Sequence, residues 1–193
     1  MHRAFYQLAR TMAALGGLVL GGLILLTSVS VLGRGLNTLG HSGLPEGLGA
    51  TLQGFGPITG DFELVEAGIA FAVFAFLPWC QMRGGHASVD LFTAALPGWA
   101  NRCLIAFWEV VFALVTILIA WRISAGMLGK ISNGETTYLL QVPVWWAYAA
   151  SSFAAGIAAV VAVYAASQRV VGALGRWDRL PGGAPPDNKG HGH

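Results

Sequence analysis

The sequence predicts an all-α integral membrane protein with four transmembrane helices, and three observations lead to this prediction. Hydrophobic residues make up 55% of the 193 residues and charged residues only 10%, whereas a soluble domain of this size usually carries about a quarter charged residues. The mean hydropathy is +0.62. Nearly uncharged stretches recur along the chain, each close to the roughly 20 residues that a bilayer core requires.

The predicted membrane domain covers residues 11–180, between a short polar segment at 1–10 and a tail at 181–193 that we expect to be disordered. The four spans are predicted at about 11–33, 62–82, 103–121 and 144–168.

The first span contains 23 residues without a charge. Gly17 and Gly21 lie four residues apart in it, and small residues at this spacing let two membrane helices approach closely. A second interpretation stays open, namely that glycine is simply frequent in membrane helices. The glycine-rich segment 34–60 that follows shows no helical or strand period and is predicted to be irregular.

The second span begins with an acidic turn that contains Asp61, Glu63 and Glu66. Only 16 uncharged residues separate Glu66 from Arg83, which corresponds to about 24 Å of helix. Because a bilayer core is roughly 30 Å thick, the acidic turn has to belong to the helix, and Glu66 is expected near the membrane boundary. Acids in a first turn also suit the positive end of the helix dipole.

Segment 86–96 is too short to span a membrane, and its apolar residues recur at helical spacing. It is predicted to be a short amphipathic helix on the membrane surface, a simple connecting loop being the alternative. We hypothesise that Arg83, His86 and Asp90 fix the joint between the second span and this helix. Alternatively, Arg83 meets anionic headgroups and Asp90 caps the helix.

The third span is interrupted by one charge, Glu109. An acid about 10 Å inside the bilayer is costly, so it should face protein or be protonated. A proton relay and a hydrogen bond between packed helices are both open. The second is favoured, because no other acid lies at a matching depth. The segment that follows, 123–143, is predicted to be a loop.

The fourth span begins just after Pro143. Trp145, Trp146 and Tyr148 anchor its start, because aromatic rings favour the headgroup layer. Alanine recurs every four residues along the span, which gives it one flat face for packing against another helix. This face contains Ala150, Ala154, Ala158 and Ala162.

Four spans place both termini on the same side of the membrane, and the positive-inside rule decides which side that is. The segments on the side of the termini carry Arg3, Arg10, Arg83, Arg102, Arg169, Arg176, Arg179 and Lys189, against Arg34, Arg122 and Lys130 on the other side. Both termini are therefore expected in the cytoplasm.

The motifs of common membrane and soluble enzymes are missing from the sequence, which contains no G-x-S-x-G, H-E-x-x-H or P-loop pattern. All five histidines lie outside the predicted spans, where membrane haem would need its ligands. No basic run exists to bind nucleic acid. We therefore expect no enzyme, cofactor or metal site, and elimination favours a membrane subunit that binds partners.

Four segments, in this order, carry a family resemblance: SVLGR at 30–34, GPITGDFELVE at 56–66, FLPWCQMRGGHASVDLF at 76–92 and GETTYLLQVPVWWAY at 134–148. Together they resemble the small membrane subunit of tripartite ATP-independent periplasmic (TRAP) transporters. The resemblance implies a bacterial inner-membrane protein that pairs with a larger membrane subunit, which holds the substrate and sodium sites and moves like an elevator. A periplasmic binding protein would deliver an organic acid, and an ion gradient would drive its uptake.

By this resemblance the chain is a fixed scaffold without a substrate site of its own. The alternative is a membrane anchor or assembly subunit of another complex, for example a respiratory one. The residues expected to contact a partner or to shape the joints between helices are Asp61, Glu63, Glu66, Arg83, His86, Asp90, Glu109, Pro143, Trp145 and Trp146.

Overall fold

The computed structural model describes residues 2–41, 56–83 and 98–173, together with the single positions 49 and 54. These ranges contain four long helices: α1 (His2–Gly40), α2 (Asp61–Arg83), α3 (Gly98–Asn133) and α4 (Trp145–Ala173). Each is long and apolar enough to cross a membrane. The predicted all-α class with four spanning helices is thereby confirmed.

Two predicted features lie outside the described residues. These are the amphipathic helix at 86–96, which includes His86 and Asp90, and the tail at 181–193. The span limits, which depend on where the membrane begins, stay predictions.

α1 and α2 run in opposite directions, since Tyr6 meets Trp79 and Ser30 meets Asp61. α3 and α4 do so too, since Glu109 meets Arg169 and Ser124 meets Ser152. Two ends of the molecule can therefore be distinguished. At the loop end, α1 and α3 finish and α2 and α4 begin. At the terminus end, the chain starts, α2 finishes, α3 begins and α4 finishes.

Two of the helices continue further than the sequence predicted. α1 runs on to Gly40 and α3 to Asn133, so the prediction of irregular structure is wrong for 34–40 and for 123–133. The polar residues there mark where the chain becomes less apolar, but polar side chains do not end a helix. At 1.5 Å per residue, α1 and α3 are about 58 and 54 Å long, so they tilt or extend beyond a bilayer core of roughly 30 Å.

The helices pack in the order α1–α2–α4–α3. Extensive contacts join α1 to α2, α2 to α4 and α4 to α3, while α1 touches α4 only slightly. In a closed four-helix bundle each helix would pack against two neighbours. Here α1 and α3 each have one extensive neighbour among the described helices, and they form the two edges of the molecule.

The alanine face of α4 forms the centre of this arrangement. Ala154 packs with Met12 of α1 and Ala75 of α2, and Ala162 packs with Ala113 of α3. Ala158 is also buried, whereas Ala150, one turn from the start of the helix, is exposed. Small side chains bring the helix backbones together, which maximises van der Waals contact where apolar burial gives little advantage over lipid.

The glycines of α1 differ in what surrounds them. Gly17 and Gly21 are exposed, and a Cβ atom added at either position would meet no atom within 4 Å. The neighbouring Gly16 is the one that packs inside the chain, since its Cβ would lie 3.1 Å from that of Ala75. The Gly17–Gly21 pair therefore serves no helix contact within the described chain.

Candidate functional site

Asp61 joins α1 to α2 at the loop end. Ser30 on α1 donates a hydrogen bond of 2.6 Å to Oδ2 of Asp61 and accepts one of 3.2 Å from the backbone N–H of Ile58. The guanidinium of Arg34 lies 3.8 Å from the same carboxylate oxygen. The Asp61 side chain is only 12% exposed, so this acid forms its described bonds inside the chain.

Glu63 holds the connection between α3 and α4. Its carboxylate accepts the backbone N–H groups of Leu139 at 2.6 Å and Leu140 at 3.0 Å. Gly60, at the start of α2, has a φ of +80°, and an added Cβ would collide with the side chain of Leu140. Glycine is thus required there both for its backbone conformation and for the close approach.

The connection at 134–144 is a small hairpin with its own bonds. The N–H of Thr137 donates to the carbonyl of Val142 at 2.8 Å, and that of Val144 to the carbonyl of Glu135 at 3.0 Å. Pro143, one of the predicted contact residues, pairs with Thr136 in an isolated antiparallel bridge. The hairpin is therefore folded back onto itself and is fastened to the first turn of α2 through Glu63.

Glu135 ties the base of this hairpin to the end of α3. Its carboxylate pairs with the ammonium of Lys130 at 2.5 Å and accepts a hydrogen bond of 3.1 Å from the side chain of Asn133. The bond from Lys130, followed by that from Asn133, holds the pKa of Glu135 below its ordinary value of 4.5. The carboxylate is therefore charged near neutral pH, and the hairpin keeps its attachment.

Glu66, one turn beyond Glu63, is exposed and lines a cavity of about 770 Å³ among α2, α3 and α4. Trp146 lines the same cavity and is 60% exposed, while Trp145 packs edge-to-face against it with ring centroids 5.9 Å apart. Both rings stand at the start of α4, where an aromatic anchor was predicted. Exposed tryptophans at a helix entrance suit the headgroup layer.

Glu109 links three helices near the terminus end. It accepts a hydrogen bond from Nε2 of Gln81 on α2, and its Oε1 lies 3.7 Å from Nε of Arg169 on α4. The side chains of Glu109 and Arg169 are 12% and 19% exposed, so this acid faces protein, as predicted. A buried acid with a cation and an amide around it has the partners of a bond between packed helices.

Among the described residues, Arg83 contacts Tyr6 of α1 and Trp79 of its own helix. Its guanidinium lies 4.7 Å from the ring centre of Trp79, and Nη2 is 3.4 Å from the hydroxyl of Tyr6. Tyr6 and Trp79 also pack together at 5.1 Å. The described part of the joint is therefore a cation–π contact within α2, and Tyr6 fastens the end of α2 to the start of α1 through its hydroxyl and its ring.

The outer faces of the two edge helices carry large exposed apolar side chains at seven-residue spacing. On α1, Leu18, Leu25 and Leu32 are 74%, 68% and 66% exposed. At 100° per residue, Gly17 and Gly21 fall on the same side, opposite Met12, Gly16 and Ser30, which face α2. We call Gly17, Leu18, Gly21, Leu25 and Leu32 the α1 face. The corresponding α3 face contains Phe107, Leu114, Trp121 and Leu128.

Several residues that bond Asp61 or Glu109 were not predicted from the sequence. Ser30, Gln81 and Arg169 are single polar residues near predicted span ends, and only their partners make them informative. Glu109 was the signal in the sequence that such partners exist, since an acid inside a membrane helix requires a partner. Its partners come from helices far away in the chain. In the described part of the chain, no group of three or more His, Cys, Asp or Glu side chains is arranged to hold a metal ion.

The fold, together with the bonds of Asp61, Glu63 and Glu109, defines a multi-pass helical membrane protein. Its buried charges connect its own helices. The family comparison makes this more specific. Residues 23–172 match the family model described as tripartite ATP-independent periplasmic transporters, DctQ component. The match covers most of the chain, so the chain belongs to this family, and the resemblance found in the sequence is confirmed. No curated protein and no solved structure matches the chain.

Family membership and the four apolar helices identify the small membrane component of a TRAP transporter, a multi-pass protein of the bacterial inner membrane.

Proposed function

We propose that this chain is a non-catalytic scaffold that binds the large membrane subunit of the transporter. The complete system would take up an organic acid, delivered by a periplasmic binding protein, in a sodium-coupled reaction. The family supplies the transport setting. The observation that carries the scaffold role is the open arrangement of the helices, in which both edge helices leave a full apolar face uncovered.

The α1 face has the shape that a partner helix needs. Leucines project at seven-residue intervals, and the exposed Gly17 and Gly21 leave a shallow groove beside them. Lipid chains solvate any apolar face, but glycines spaced four apart specifically allow another backbone to come close. We therefore assign the α1 face to the large subunit.

The joints described above support a fixed role. Asp61, Glu63 and Glu109 each bond groups from a different segment of the chain, and together they connect all four helices. A scaffold has to hold its shape while its partner moves, and three separate polar joints resist sliding of one helix past another.

The test replaces both glycines of the α1 face, as Gly17→Leu together with Gly21→Leu. A Cβ atom added at either position meets no other part of the chain within 4 Å, and both positions are exposed, so the subunit itself should fold normally. The two new leucine side chains would, however, hold the backbone of a partner helix away. Loss of one such contact, worth about 1–2 kcal/mol, lowers recovery of the large subunit roughly tenfold. Mild-detergent co-purification measures this, and uptake of the substrate should fall in parallel.

The matched control is Gly129→Leu on α3, where an added Cβ also meets no atom within 4 Å. Recovery of the large subunit should stay at the wild-type level with this variant. Equal recovery from the double glycine variant and from wild type would refute the assignment of the α1 face. Recovery of redox subunits in place of a permease would refute the scaffold role in transport.

A further inference from the structure

The cavity of about 770 Å³ at the loop end has a polar mouth and an apolar interior. Glu66, Lys130 and Tyr148 line it near the ends of their helices. Phe74 and Ile123 also line it, about 20 Å along α2 from its start and about 15 Å back from the end of α3. Measured along α2, the cavity therefore extends from Glu66 at the expected membrane boundary to Phe74 in the expected acyl layer. Its size falls within the range of small-molecule sites.

Ser151 supplies an unused hydroxyl inside this cavity. Its side chain is 5% exposed, and among the described residues its Oγ is a buried atom without a hydrogen-bond partner. Other helical hydroxyls in this chain bond the carbonyl four residues earlier, as Thr116 and Ser124 do at 2.8 Å. A buried hydroxyl without any partner is costly, so Ser151 is arranged to donate to something outside the chain.

Three carboxylates and one ammonium line the mouth, namely Glu63, Glu66, Glu135 and Lys130. Glu63 and Glu135 are already bonded within the chain, which leaves Glu66 and Lys130 to meet a ligand. The structure gives Glu66 no hydrogen bond or ion pair within the described part of the chain, which leaves its carboxylate able to receive a cation. Lys130 uses one of its three N–H groups on Glu135, so its ammonium can also donate to an anion. A group that carries phosphate and ammonium a few atoms apart would satisfy both.

We propose that this cavity binds one phospholipid with a primary-amine headgroup, such as phosphatidylethanolamine. The lipid ammonium donates to Glu66, and the phosphate accepts from Lys130. Ser151, about 9 Å along α4 from its start, donates to an ester carbonyl, and an acyl chain fills the space beside Phe74 and Ile123. This lipid site goes beyond the scaffold role and does not depend on it.

The test uses native mass spectrometry of the full chain in mild detergent, with dioleoyl phosphatidylethanolamine or dioleoyl phosphatidylcholine added. The quaternary ammonium of choline has no N–H to donate. Wild type is therefore expected to retain the ethanolamine lipid about tenfold better, the effect of one charge-assisted hydrogen bond. Glu66→Gln should abolish this preference, and Ser151→Leu, which fills the interior, should lower the retention of both lipids.

Ser167→Ala is the matched control, because Ser167 is an exposed serine of α4 that bonds the carbonyl of Tyr164. It should retain lipid as wild type does. Should Ser151→Leu fail to fold, Glu66→Gln and the two headgroups still decide the outcome. Equal retention of the two lipids by wild type, or an unchanged preference in Glu66→Gln, would overturn the proposal. The proposal would also be overturned if the Ser151→Leu variant kept its lipid but lost the large subunit. The cavity would then be occupied by protein.

Discussion

Four acidic residues in or near the membrane helices differ in what surrounds them, and these surroundings give each a different use. Asp61, Glu63 and Glu109 are bonded to other segments of the chain. Glu66 stays exposed beside a cavity. Charge in an apolar setting is stable only when it is paired, so the partners of an acid indicate whether it has a structural or an external role.

Glu109 and Arg169 should be energetically coupled. Glu109→Met leaves a largely buried guanidinium without its carboxylate, and we expect a loss of about 3 kcal/mol in the free energy of unfolding. Arg169→Met should cost a similar amount. The double variant should cost clearly less than the sum, because neither charge is then left unpaired. Equilibrium unfolding in a mixed-detergent system measures the three differences.

Strictly additive losses in this cycle would contradict the pairing of Glu109 with Arg169.

The variant Glu109→Gln separates the structural role from a proton relay, because glutamine cannot carry a proton through the site. We expect uptake to persist with this variant, and abolished uptake in a complex of normal yield would favour the relay.

At the level of elements, α4 packs extensively against α2 and α3 and only slightly against α1. Its alanine face meets α1 and α2 near one end and α3 near the other. The four-residue repeat of alanine predicted a packing face, and from Ala154 onwards the structure places that face in the core. The repeat could not say which helices would meet it, since every membrane helix offers an apolar surface.

The alanine face of α4 should tolerate larger side chains only at its exposed positions. Ala162→Leu inserts three carbon atoms between α4 and α3 and should lower the free energy of unfolding by about 1–3 kcal/mol. Ala150→Leu places the same atoms outside the core and should change it by less than about 0.5 kcal/mol. Unfolding curves of the two variants, compared under one set of conditions, check this difference. Equal effects would mean that the alanine face does not form the core.

At the level of the whole molecule, the distribution of charge and the order of the helices together predict the orientation in the membrane. The excess of Lys and Arg in the segments at the terminus end predicts that this end faces the cytoplasm. The hairpin at 134–144 would then lie on the periplasmic side, with Tyr138 89% exposed at its tip.

Cysteine labelling tests this orientation. In a background with Cys80→Ala and Cys103→Ala, Tyr138→Cys should react with a membrane-impermeant maleimide added to spheroplasts with an intact inner membrane. Gln7→Cys, at an exposed position of the terminus end, should react only after the membrane is permeabilised. The reverse pattern would place the termini outside and contradict the charge rule.

The sequence by itself determined the helical class, the number of spanning helices, the acidic start of α2 and the family. These follow from local properties, because apolar length, charge and short motifs are written along the chain. Only the tertiary structure decided that Gly16 packs inside while Gly17 and Gly21 remain outside, that Glu109 meets Gln81 and Arg169, and that Ser151 opens into a cavity. Each of these depends on which faces of distant helices meet. A lipid-exposed face and a packed face have nearly the same apolar composition, so sequence pattern cannot distinguish them.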